Sequence, residues 1–274
     1  MFINVLTGFN GAKINGQLHG NYMFITQNNM KQKSLILLLA TCLLCSCSLY
    51  RTEVIALAGF DAEQHFRMSP FQELDVHSAI EVIMCDSVYD ICAQTDANLM
   101  PYLQITQSGE RLSVGFRNGV RWSGVSHCRV LIPTQPALSD INVSGASSLF
   151  IEQPLSASDV DINISGASTI DVVVVAHDAD INISGSSSAT LQGDVRTMEV
   201  SVSGASRLLS EKQNGRFLLV AGKVEGSVSG SSVMNVHSDG EIDCNVSGAS
   251  TIYYTGTART SASECSGSSL IIHE

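Results

Sequence analysis

The chain predicts an all-β fold, a parallel β-helix with short repeats of about 19 residues, preceded by an irregular β capping segment. Two observations carry this expectation. The tetrapeptide Ser-Gly-Ala-Ser or Ser-Gly-Ser-Ser occurs seven times, at Ser144–Ser147, Ser165–Ser168, Ser184–Ser187, Ser203–Ser206, Ser229–Ser232, Ser247–Ser250 and Ser266–Ser269, at intervals of 21, 19, 19, 26, 18 and 19 residues. Aligned on its glycine, two apolar columns emerge. Val143, Ile164, Ile183, Val202, Val228, Val246 and Cys265 stand two residues before it, and Leu149, Ile170, Ala189, Leu208, Met234, Ile252 and Ile271 four residues after it.

Polar residues separate those columns, so each repeat reads as strands with one buried face around a Gly-centred bend. One repeat cannot bury its own apolar face. Stacked at about 4.8 Å per coil, six intervals give roughly 29 Å of continuous core. The 26-residue interval contains Glu211-Lys212-Gln213-Asn214-Gly215, a natural loop insertion. A propeller blade, at roughly 40 residues, is too long for this period.

Taken in order along the chain, residues 1–29 read as a gene-model extension ahead of the true start at Met30. Residues 30–46 read as a lipoprotein signal peptide. Lys31 and Lys33 are its positive region, and Leu35 to Leu44 an apolar stretch well short of the roughly 20 residues a membrane-spanning helix needs. Leu44-Cys45-Ser46-Cys47 forms a lipobox, which makes Cys47 the lipidation site. Each buried lipid CH₂ would contribute about 0.8 kcal/mol to anchoring. Residues 47–58 then form a tether and 59–274 the β-helical domain, with 59–137 as irregular capping coils and 138–274 as the repeats. Within the capping segment, Phe71–His77, Ala79–Met84, Tyr89–Ala93 and Arg111–Phe116 alternate as strands do. Asn98-Leu-Met-Pro-Tyr-Leu suggests a short helical turn, and Asn118-Gly119 a tight turn.

Composition narrows the function. The 26 acidic and 15 basic side chains give a net charge of −11. Removing residues 1–46 takes Lys13, Lys31, Lys33 and no acid, leaving 12 basic side chains and a net charge of −14. That balance opposes nucleic acid and anionic membrane surfaces as partners. Five cysteines follow Cys47, namely Cys85, Cys92, Cys128, Cys244 and Cys265, an odd number that cannot all pair within one chain. A Cys85–Cys92 bridge across a turn is conceivable, but burial as small hydrophobes is the expectation for all five.

No catalytic constellation emerges. Seven equivalent serines cannot each own a base, and no Gly-x-Ser-x-Gly elbow is present. His65, His77, His127, His177, His237 and His273 are scattered, with no metal-ligand spacing. The most informative polar feature is an acidic column five residues before the repeat glycine: Asp140, Asp161, Asp180, Glu199, Glu225 and Asp243. Asn142, Asn163, Asn182 and Asn245 lie two residues further along, on the same face. Stacked carboxylates repel, and a hard cation such as Ca²⁺ would offset that. A solvated acidic ridge is the expected reading, because no dense Ca²⁺ loop is present; no metal and no cofactor are expected.

On Phe71-Gln-Glu-Leu-Asp-Val, Ile80-Glu-Val-Ile, Asp96-Ala-Asn-Leu-Met-Pro-Tyr-Leu, Gly109-Glu-Arg-Leu-Ser-Val and the iterated Val/Ile-Ser-Gly-Ala-Ser units, residues 58–272 resemble the auto-transporter adhesin, head GIN domain family of Bacteroidetes-type envelope lipoproteins. The resemblance implies a right-handed parallel β-helix and a cell-envelope location, and supplies no catalytic residues. The expected protein is a non-enzymatic outer-membrane lipoprotein, attached to the membrane by lipid, that binds a glycan or protein ligand as adhesins do. A periplasm-facing structural or sensory protein is the first alternative, and a carbohydrate-active β-helix enzyme the second. Oligomers by end or lateral stacking are open to it, since solenoid ends are sheet edges.

Overall fold

The computed structural model describes residues 53–124, 127–261 and 263–274. All regular elements among them are β-strands except one 3-10 turn, Met100–Tyr102, where the sequence expects it. Among the described residues no helix is long and apolar enough to cross a membrane. The signal segment and Cys47 lie outside the described residues.

The repeats pair as the glycine alignment requires. Asp140–Val143 pairs in parallel with Asp161–Ile164, Asp161–Ile164 with Asp180–Ile183, and Glu199–Val202 with Glu225–Val228. Each residue therefore faces its own counterpart in the next repeat. Alternation then sorts the side chains. Ile162 and Ile164 point into the core while Asp161 and Asn163 face out, and each fully buried aliphatic contributes about 1.5–3 kcal/mol. Both predicted apolar columns are buried from Val143 to Val246 and from Leu149 to Ile252. Ser188–Val202, Arg207–Leu209, Val233–His237 and Leu219–Val228 close a ring of four parallel pairings around this core.

The tetrapeptide makes the corner. Gly185 has φ +79°, and a Cβ there would stand 2.4 Å from the Gly166 carbonyl oxygen. Only glycine lets the corners nest, and Ser186 N–H then donates to that carbonyl at 2.8 Å. The last serine of each tetrapeptide is buried. In several of them the hydroxyl oxygen takes a backbone N–H of an adjacent repeat: Ser147 N–H donates to Ser168 Oγ, and Ser168 N–H to Ser187 Oγ, both at 3.3 Å. The expected insertion is a two-residue hairpin, Lys212–Gln213 against Arg216–Phe217. Asn214 (φ 52°) and Gly215 (φ 79°) supply the left-handed turn.

The segment before residue 138 is built differently. Glu73–Val76 lies between Asp140–Val143 and Arg111–Phe116, parallel to both. Glu81–Cys85 likewise lies between Ser148–Ile151 and Arg129–Pro133. Around these, Leu103–Ser108 runs antiparallel to Arg111–Phe116, and Ile91–Asp96 antiparallel to both Asp61–Phe66 and Arg129–Pro133. Glu53–Ala56, inside the stretch read as tether, is a strand parallel to Val120–Ser123.

The five described cysteines are all free. Cys85, Cys128 and Cys244 are buried as expected, and burial pushes the thiols of Cys128 and Cys244 up to about 12. The burial expected of all five fails at two. Cys92 is only half-buried, and Cys85 does not bridge it but lies against the Ser87 hydroxyl at 3.0 Å. Cys265 is exposed, because no strand among the described residues stacks beyond its own.

Candidate functional site

The acidic column is assembled by the strand register. Glu73, Asp140, Asp161, Asp180, Glu199, Glu225 and Asp243 stand opposite one another in sequence, one per paired strand. All six predicted carboxylates are thus brought together, and Glu73 of the capping segment extends the column. The amide column is equally in register, with Asp75, Asn142, Asn163 and Asn182 side by side. A third outward column, missed from the sequence, pairs Asp159 with Asp178 and Thr197, then Lys223 and Glu241. Its signal was legible in Asp159-Val-Asp161-Ile-Asn163 and Asp178-Ala-Asp180-Ile-Asn182, where acidic and amide residues alternate with aliphatics.

Countercharges sit toward the ends. Arg111 Nε donates to Glu73 Oε2 at 2.6 Å, and Lys223 pairs with Glu225. Between them, amides help: Asn142 Nδ2 donates to Asp140 Oδ1 and Asn182 Nδ2 to Asp180 Oδ1, both at 2.8 Å. The remaining repulsion shows in the titration. Partial burial, then the Glu73 and Asp161 carboxylates, raise the Asp140 carboxyl above its ordinary value. Burial, then Asp180 and Asp159, raise Asp161. Asp178 moves the other way, lowered chiefly by the His177 side chain, whose Nδ1 lies 2.6 Å from Asp178 Oδ2.

Asp159, Asp161, Asp178, Asp180, Thr197 and Glu199 line an open groove of about 390 Å³ in the middle of this face. Its chemistry is that of hydrogen-bond acceptors held at fixed spacing by the sheet beneath. The carboxylates are spread one per strand. Among the described residues, the groups with three metal-ligating atoms within 4.8 Å of one another do not include any residue of the column. The last serine of each tetrapeptide is buried in the corner and turned away from this face. His237 is buried too, its Nδ1 2.9 Å from Thr255 Oγ1 and its Nε2 3.3 Å from Asp239 Oδ2. The Thr255 hydroxyl is itself buried and accepts the Phe217 N–H, so this trio braces the insertion.

An all-β stack of parallel-paired repeats presenting a ruled polar face defines a class of repetitive β proteins. Residues 70–258 match the family model described as "Putative auto-transporter adhesin, head GIN domain", and the chain belongs to that family. It is similar in fold to solved structures. One, named a "putative adhesin" from Bacteroides fragilis, shares 16% identity at TM-score 0.69 over 80% of this chain and 100% of its own. Another of that name, from Parabacteroides distasonis, shares 18% identity at TM-score 0.62 over 81% and 100%. A third, named a "Putative lipid binding protein" from the same species, shares 18% identity at TM-score 0.56 over 81% and 97%. No curated protein matches the chain.

Proposed function

We propose that the protein is a non-enzymatic envelope lipoprotein, anchored by lipid at Cys47, that binds a polar ligand through the ruled face of a right-handed parallel β-helix. In this reading residues 30–46 are the signal peptide and 47–58 the tether, which joins the binding module of 59–274 through the strand Glu53–Ala56. The observation that carries it is the in-register acidic and amide columns, which repeat the same acceptors and donors on successive strands over the central groove. Such an array suits a chain of similar units, a glycan or an extended protein segment, and works without an enclosed pocket. The acidic groove disfavours anionic lipid headgroups, so the lipid-binding name of one relative is not carried to this chain.

The test has two arms. Protease added to intact cells should digest the repeats, placing them outside, and a glycan array probed with the purified chain should then show binding that Asp161→Asn and Asp180→Asn weaken. Protection until lysis would overturn the surface adhesin reading. A periplasmic orientation is the second reading, favoured by Ser48-Leu-Tyr-Arg-Thr-Glu53, which lacks an acidic cluster directly after Cys47.

A further inference from the structure

We propose that Glu63, His65 and Cys92 form a Zn²⁺ site on the capping segment that shares no residue with the acidic columns. The strands Asp61–Phe66 and Ile91–Asp96 run antiparallel, and their register sets His65 directly opposite Cys92. Glu63 lies two residues before His65, hence on the same face of its strand. One ligating atom from each of the three side chains falls within 4.8 Å of the other two. His65 Nε2 and Glu63 Oε1 are already 3.1 Å apart. Zinc bonds of about 2.0–2.3 Å set tetrahedral ligand atoms about 3.3–3.7 Å apart, so only small rotations of the side chains are needed. His65 and Glu63, at 60% and 56% exposed, are free to make that adjustment.

The donor set selects the metal. A thiolate, an imidazole and a carboxylate suit Zn²⁺, whereas Ca²⁺ and Mg²⁺ take oxygen alone. Three protein ligands leave a fourth position for water or for a group of a partner molecule. Zn²⁺ binds the thiolate, so forming the S–Zn bond releases the Cys92 thiol proton to solvent, and binding weakens in acid. The ion would pin Asp61–Phe66, the outermost strand of this sheet and one with little buried surface of its own, to its neighbour.

The full-length chain, reduced and stripped with EDTA, would be titrated with Co²⁺ as a spectroscopic probe and with Zn²⁺ by calorimetry. The expected result is a thiolate-to-cobalt absorption band that Zn²⁺ abolishes, is absent in Cys92→Ser and is unchanged in Cys265→Ser. In His65→Gln and in Glu63→Gln, Zn²⁺ affinity should fall by at least the ~10-fold that loss of a supporting partner costs a metal site. All four side chains are partly or fully exposed, so circular dichroism should find the variants folded. No band in the native chain, or a band that survives Cys92→Ser, would overturn the proposal.

Discussion

The central and terminal coils carry one motif and meet different fates. Val246 and Ile252 are buried at 1% and 0% exposure, whereas their counterparts one repeat later, Cys265 and Ile271, are exposed and half-buried. Leu270, on the last strand, is 54% exposed. Local sequence is nearly the same in both places, so the difference comes from neighbours alone. A central coil has one partner on each side, while Leu270–His273 pairs only with Thr251–Thr255 among the described residues. Stability in such a molecule resides in the interfaces between repeats more than in the repeats themselves.

The sharpest way to break the comparison is at the corner glycines. Gly204→Ala forces a Cβ to within 2.4 Å of the Gly185 carbonyl at φ +82°, in a coil held on both sides. It should cost about 4 kcal/mol in backbone strain and overpacking. Gly267→Ala meets its neighbour at 2.8 Å in a coil that can move outward, and should cost about 2 kcal/mol, mostly strain. Urea unfolding of both variants measures the gap; equal losses would refute the neighbour argument. Next come the core residues. Ile181→Ala, at 0% exposure, should cost about 3 kcal/mol with its cavity. Ile271→Ala should cost about 1 kcal/mol, for burial alone.

Smaller effects belong to the acidic face. Asp140 and Asp161 titrate above their ordinary value in the folded chain, so between the unfolded and folded values the folded state holds more protons. Their contribution therefore strengthens the fold as pH falls from neutral toward 3.8, and is lost as pH rises through the folded values. Asp96, Asp178 and Asp239, lowered by hydrogen bonds, act in the opposite sense and withdraw their support below 3.8. Thermal melts should thus show a maximum on the acid side of neutrality. Asp161→Asn should flatten that slope and, by removing one like-charge contact, stabilise the chain at pH 7 by about 0.5 kcal/mol. A flat or inverted melting profile would show that the column is fully screened.

The sequence made the repeats readable because each residue stacks on its own counterpart, so identity at a fixed interval is the fold's direct imprint. Asp140 to Asp243 could be aligned by eye for that reason. The capping segment left no such imprint. Asp61–Phe66 reads Asp-Ala-Glu-Gln-His-Phe and is mostly exposed, so no apolar alternation announced it. Its partner Cys92 is 27 positions beyond His65, at a distance only antiparallel pairing closes. Half the signal, Glu63-x-His65 on a strand, was present; the other half was topological.

The corner geometry also bears on how such chains change length. Because pairing partners in the central repeats are separated by one whole repeat, an unequal crossover that duplicates or deletes 19 residues from Asp161 to Ala179 would leave each remaining residue facing a counterpart of its own kind. Insertions of any other length must bulge outward, as the hairpin after Ser210 does. The reach of the molecule is in this sense a heritable count, adjustable in whole steps without redesign of any contact.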